Sequence, residues 1–263
     1  HQPLFEYAKK VGITIFSSPF DNTAVDLLES LNTPAYKIAS FEAVDLPLIK
    51  YVAQTGKPMI ISTGMADADE IQEAIETARE GGCKKLAILH CVSGYPAPPG
   101  DYNLRTLVDM QQKFGLITGL SDHTIDNTTA VSSVALGASI IEKHVTLDRN
   151  GGGPDDSFSL EEEGLKGLCV GVKTAWGALG RVDYGRKSSE QANVKFRRSL
   201  YFVKDIKRGE VITTEHIKSI RPGYGLAPKY MEEILGKKMT SPAKLGTPVL
   251  PNLIKNFHHK FII

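Results

Sequence analysis

The chain is poor in cysteine. Cys83, Cys91 and Cys169 are its only three, and they form no paired motif. An odd, scattered set argues against a disulfide framework and for a reducing compartment, the cytoplasm. Long apolar runs are missing too: none reaches the roughly 18 residues that cross a bilayer, and no signal peptide is recognisable. Neither sign of charge is in excess, with 31 basic against 30 acidic residues and a net charge of +1. That balance makes no electrostatic case for nucleic acid or an anionic membrane as partner. A G-x-G-x-x-G turn, the mark of a dinucleotide-binding fold, is absent. What remains is a 263-residue chain with 41% hydrophobic residues, able to bury a core as one large domain or two smaller ones.

A unit of short apolar strand, polar tip and amphipathic helix repeats from the start to about residue 180. Strands are expected at Ile13–Phe16, Ala35–Ala39, Pro58–Ile61, Lys85–Leu89, Leu116–Leu120 and Ala138–Val145, and the last helix at Glu161–Leu179. Strict alternation means a parallel sheet. A doubly wound sheet and a (β/α)8 barrel both fit. The polar tips all follow strands, where barrel active sites sit, which favours the barrel. A barrel needs eight units and six are read here. The chain also opens inside an apparent amphipathic helix, so the expectation is a barrel whose first two units lie upstream of His1.

The stretch Gly119–Asp155 organises the rest. It reads as strand, polar turn, helix, strand and glycine-rich loop, with His123 and His144 near the ends of its two strands. On neighbouring parallel strands the two imidazoles could share a divalent metal. They could equally be unrelated, one bonded to backbone and one exposed. Lys37 lies inside a strand, where a lysine is costly unless paired or aimed at an anion. Ser40, Ser62, Thr63, Ser93 and Ser121 follow strands directly, placed either for phosphate or for helix capping.

Arg181–Asn193 is polar and reads as a linker between domains at 1–180 and 194–263. The second domain is short-stranded and rich in Pro and Gly, with one helical turn expected at Lys229–Ile234. His258 and His259 read as surface residues.

The ordered series SSPFD, YKIAS, ISTGM, HCVSGYPAP, GLSDHT, EKHVTLDR and GGPDDSFSL resembles the sialic acid synthase family. The later FRRSLYFVKDIKRGEVIT, IRPGYGLAP and GKKMTSPAKLGTPVL resemble that family's antifreeze-like terminal (SAF) domain. The resemblance implies a (β/α)8 barrel joined to a small β-rich domain. It implies condensation of phosphoenolpyruvate with an amino-sugar aldehyde and water, giving a nine-carbon keto-acid and phosphate. GGPDDSFSL looks like the pseudaminic acid branch, with Asp156 where relatives using N-acetylmannosamine more often carry histidine; legionaminic acid synthesis is the nearest alternative, and N-acetylneuraminate synthesis the other. The family's first units hold a glutamate near the reacting centre and a lysine-bearing strand, and neither is in this sequence.

The same resemblance implies site roles. Lys37, Ser40, Ser62 and Ser121 would contact phosphoenolpyruvate, with Ser93 in place of an asparagine of some relatives. His123 and His144 would hold Mn²⁺ or Mg²⁺. Glu42, Tyr95 and Asp155 would meet the sugar, and Phe158 its 6-deoxy group. Arg221, in the small domain, would reach the site of a partner in a domain-swapped homodimer. Two other classes stand beside this one. One is a non-catalytic carbohydrate- or ice-binding module. The other is an aldolase with a Schiff base on Lys37, which would leave the paired histidines unexplained.

Overall fold

A computed structural model describes residues 1–258; His259 lies outside them, and His258 is exposed. The chain divides into two compact units, His1–Arg181 and Val182–Ile263. Among the described residues no helix is long and apolar enough to cross a membrane.

The first unit is a five-stranded parallel sheet in sequential order: β1 (Tyr36–Ile38), β2 (Met59–Ser62), β3 (Leu86–Cys91), β4 (Ile117–Asp122) and β5 (Ile141–Lys143). Helices α1 (Gln2–Val11) and α2 (Asn22–Ser30) precede it. Helices α3 (Leu46–Ala53), α4 (Ala68–Glu80), α5 (Thr106–Phe114) and α6 (Thr128–Ala135) join the strands, and α7 (Glu162–Leu179) follows. Acidic residues after the strand tips start several helices. Asp21 accepts the Ala24 N–H at 2.9 Å, and Asp67 with Glu70 forms a full capping box. One sheet face turns Tyr36, Ile38, Met59, Ile61, Leu86 and Ile88 into a core shared with α2 to α5. Because side chains alternate along a strand, Lys37, Ser62, Leu89, Cys91, Ser121 and Glu142 occupy the opposite face.

Sequence reading differs from the structure at the start. Ile13–Phe16 is not a strand, and only Ser17 makes a parallel bridge, to Tyr36. The segment is paired on one side alone, and Ile13 is 65% exposed. Five strands and a bridge therefore stand where six strand–helix units were expected. Apolar side chains on α1 (Leu4, Tyr7) and α7 (Val170, Trp176) are exposed.

In the second unit, β6 (Ser199–Phe202) and β7 (Ile217–Ile220) form an antiparallel pair. Single bridges such as Ile206 to Ala243 and Met239 to Ile254 close the remaining loops. Leu200, Phe202, Ile212, Ile217, Leu226 and Val249 make its own core. A helical turn, α8, runs Met231–Ile234. The polar stretch read as a linker falls, from Val182 on, within this unit and is not wholly irregular: a 3₁₀ helix spans Ser188–Phe196, with Glu190 accepting the Lys187 N–H at 2.8 Å. The near-neutral total charge conceals a split. His1–Arg181 holds 15 basic and 23 acidic residues, and Val182–Ile263 holds 16 and 7.

Candidate active site

The polar face of the first unit carries the chemistry. Lys37 points from β1 to Glu142 on β5, with Nζ at 2.7 and 2.6 Å from the two carboxylate oxygens. These are the edge strands. In a flat sheet four strand intervals would separate them by roughly 19 Å, more than the two side chains bridge together. The sheet is therefore strongly curved, and this face is its concave one. Glu142 Oε1 also accepts the Ser121 hydroxyl at 3.0 Å. Gly119 on β4 lets this curvature form, since a Cβ there would collide with the Ile140 carbonyl and Leu89.

Ser40 and Glu42 lie in a 3₁₀ turn after β1. Ser40 Oγ accepts the Gly64 N–H at 3.1 Å, which ties the first two tips together. Thr63 is structural: its backbone and hydroxyl both donate to Leu89 O, at 3.0 and 3.1 Å. The Ser62 and Ser93 hydroxyls and Glu42 Oε2 are buried without a protein partner. An unmade hydrogen bond at a buried polar atom costs about 1–3 kcal/mol. Three such atoms, at the tips of β1, β2 and β3, leave hydrogen-bonding capacity that a polar ligand could take up.

His123 and His144 follow β4 and β5, which are adjacent and in register at Asp122 and Lys143. Their ring centroids are 5.1 Å apart. His123 Nδ1 lies 2.8 Å from the Val92 carbonyl, so it carries the proton of a neutral ring. His144 Nδ1 lies 3.3 Å from Asp155 Oδ2. Each contact leaves Nε2 free, the arrangement that orients a histidine toward a metal. Burial, then the neighbouring His123, pushes the His144 pKa down and favours the neutral ligand form. Burial also acts to lower that of His123, but contacts with Cys91 and Val92 carry it upward on balance. Among the described residues no three His, Cys, Asp or Glu side chains form a metal cluster. The residues fit a two-imidazole site whose other positions fall to water or substrate.

An aromatic wall encloses the pair. Tyr95, 44% exposed, has its ring 4.4 Å from that of His123, and buried Phe158 lies 5.2 Å from His144. The glycine-rich loop is laced around Asp156, which accepts from Thr146 Oγ1 at 2.6 Å and Gly153 N at 2.7 Å. That interaction also places Asp155 beside His144.

The NeuB family description matches residues 1–184, and the SAF domain description matches residues 197–255. The chain belongs to the NeuB family. It is 44% identical to the pseudaminic acid synthase of Helicobacter pylori, over 95% of this chain and 74% of that protein. It is 40% identical to the N,N'-diacetyllegionaminic acid synthase of Campylobacter jejuni, over 93% of this chain and 74% of that one. Among solved structures it resembles the N-acetylneuraminic acid synthetase of Leptospira borgpetersenii in complex with citrate. The TM-score there is 0.69 at 32% identity, covering 73% of this chain and 67% of the other.

Within this NeuB chain, Lys37, Ser40, Ser62, Ser93, Ser121, His123, His144, Tyr95 and Asp155 come from strand tips on one side of the sheet, and Glu42 from the same tip as Ser40. Arg221 belongs to the second unit and is exposed there. Sequence reading missed three supports. Glu142 was one, although a carboxylate two residues before a strand histidine shares its face. The second is Tyr102, whose buried hydroxyl accepts the His123 N–H at 2.7 Å and braces that tip. The third is the buried Asp122–Lys143 pair at 3.0 Å, which locks β4 to β5 from behind.

Proposed function

We propose that this chain joins carbon 3 of phosphoenolpyruvate to the aldehyde carbon of an amino sugar. Water adds at carbon 2, phosphate leaves by C–O cleavage, and a nine-carbon keto-acid results. The observation that carries the reading is the convergence of His123 and His144 beside a lysine and buried hydroxyls that lack partners. A barrel-top site of this composition has an anion seat and a cation seat side by side. Lys37, Ser40, Ser62, Ser93 and Ser121 form the first, holding phosphate and carboxylate. His123 and His144 form the second, with their tautomers set by Val92 and Asp155. Bound Mn²⁺ or Mg²⁺ would polarise the aldehyde and offset charge developing on its oxygen. Tyr95 and Phe158 exclude water from that side, and Glu42 receives sugar hydroxyl or amide groups.

The favoured sugar is 2,4-diacetamido-2,4,6-trideoxy-altropyranose, and the favoured product pseudaminic acid. Relatives bearing that product's name reach 44% and 41% identity, against 40% and 34% for legionaminic acid synthases. Asp156 after Gly-Pro-Asp points the same way. The active form is a homodimer in which Arg221 of one copy serves the other. The three free cysteines suit a cytoplasmic enzyme.

Phosphate release tests this. It should require both substrates and be faster with the diacetamido-trideoxy sugar than with N-acetylmannosamine. Equal rates would shift the reading to N-acetylneuraminate synthesis. Borohydride trapping of pyruvate on Lys37 would replace the mechanism with an imine aldolase.

A further inference from the structure

The anion seat is occupied from within. Both oxygens of Glu142 engage Lys37 Nζ, at 2.7 and 2.6 Å, and Oε1 takes the Ser121 hydroxyl at 3.0 Å. Lys37 and Ser121 are two of the groups assigned to phosphoenolpyruvate. Ser62 and Ser93, which would meet the same ligand, hold buried hydroxyls with no partner. The charged part of the seat is thus satisfied internally while its neutral part is not. The two partners also differ in freedom: the Lys37 side chain is 11% exposed and that of Glu142 36%. Glu142 has solvent to swing into, and Lys37 does not.

We propose that Glu142 is an internal competitor, a carboxylate that stands in for the substrate's own anionic group at Lys37, sets the affinity of the seat and is displaced when phosphoenolpyruvate binds. This rests on the reading that Lys37 belongs to the phosphoenolpyruvate pocket. Every anion entering the seat must separate the same ion pair. Its apparent dissociation constant therefore rises by the inverse of the fraction of molecules in which the pair is open. The handicap is the same factor for all, so it leaves relative affinities unchanged and sets which ligands reach useful occupancy at a given concentration. A monocarboxylate such as pyruvate has few other contacts and drops below useful occupancy. Phosphoenolpyruvate retains binding because its phosphate also finds the unpartnered Ser62 and Ser93 hydroxyls. Replacing the carboxylate by an amide of the same shape removes the competitor and leaves Lys37 an uncompensated charge, which an incoming anion then neutralises.

Calorimetric titration of the full chain with phosphoenolpyruvate, and separately with pyruvate, tests this in the wild type and in Glu142→Gln. The amide should tighten phosphoenolpyruvate binding by about tenfold or more and bring pyruvate binding into the measurable range. A Glu142→Gln protein that is folded by circular dichroism and binds phosphoenolpyruvate no tighter than wild type overturns the inference. Should that variant not fold, Glu142→Asp withdraws the carboxylate by one methylene and should give a smaller tightening; unchanged or weaker binding there overturns it equally. A wild-type chain that binds no phosphoenolpyruvate removes the pocket assignment and the inference with it. That result is distinct from one in which wild type binds and the variants gain nothing.

Discussion

Asp155 Oδ2 lies 3.3 Å from His144 Nδ1, across the turn that closes the glycine-rich loop. The carboxylate that sequence reading assigned to the sugar thus also orients an imidazole. Metal-binding histidines lose about 10–100-fold in affinity when such a partner is removed. Asp155→Ala should weaken Mn²⁺ binding by that order in a direct titration. An unchanged Mn²⁺ affinity, with only the sugar's KM raised, would confine Asp155 to the sugar.

His123→Ala should abolish phosphate release and weaken Mn²⁺ binding while leaving the helix content intact. The ring is held by the Val92 carbonyl and flanked by Tyr95, so no neighbour can take its place. Full activity of the wild-type protein in excess chelator would end the metal hypothesis.

Gly64 sits where a methyl group would meet Ser40 Oγ and Ser93 Oγ. Those atoms end short side chains, so Gly64→Ala should rotate them rather than unfold the sheet. The expected result is a several-fold weaker binding of phosphoenolpyruvate at nearly unchanged melting temperature. A large loss of thermal stability without a change in affinity would show that the position matters for packing alone.

The Asp122–Lys143 pair is nearly inaccessible to solvent, and Lys143 also donates to the Asp126 carbonyl at 3.0 Å. Removing one member of such a pair strands the other charge and costs about 3–5 kcal/mol. Lys143→Met should therefore lower unfolding free energy by that amount in denaturant titrations. A loss under about 1 kcal/mol, the usual value for a surface pair, would contradict the structural role.

The loop around Asp156 should respond to acid. Its bond from Thr146, then that from Gly153, holds the Asp156 pKa below its ordinary 3.8. A depressed carboxylate stabilises the fold above its unfolded pKa, and that stabilisation is lost as pH falls through the folded value. Hydrogen exchange at Gly153 should therefore accelerate below about pH 4 after correction for intrinsic rates, and Asp156→Asn should show the same loosening at neutral pH. Exchange that is independent of both would mean that the loop is held by other contacts.

Much of this site was visible in the linear chain, for a simple reason. Parallel strands joined by helices put every following tip on one side, so Ser40, Ser62, Ser93, Ser121, His123 and His144 had to gather there once the units were recognised. The missed elements depend on information that the pattern lacks. A continuous apolar run does not say which of its alternate residues faces the concave side, so Glu142 was hidden beside Ile141 and Lys143. Tyr102 reaches the His123 tip from a different loop, a contact without any local signature. Ile13–Phe16 has strand-like composition, but a strand is completed by its neighbours, and pairing there stops at Ser17.

The opposite charge balance of the two units has a practical corollary. With eight more acidic than basic residues in His1–Arg181 and nine more basic than acidic in Val182–Ile263, the overall isoelectric point of about 7.8 describes neither body. Near neutral pH in dilute buffer, the chain should be retained on anion- and cation-exchange resins alike, and a separately expressed second unit should bind only the latter.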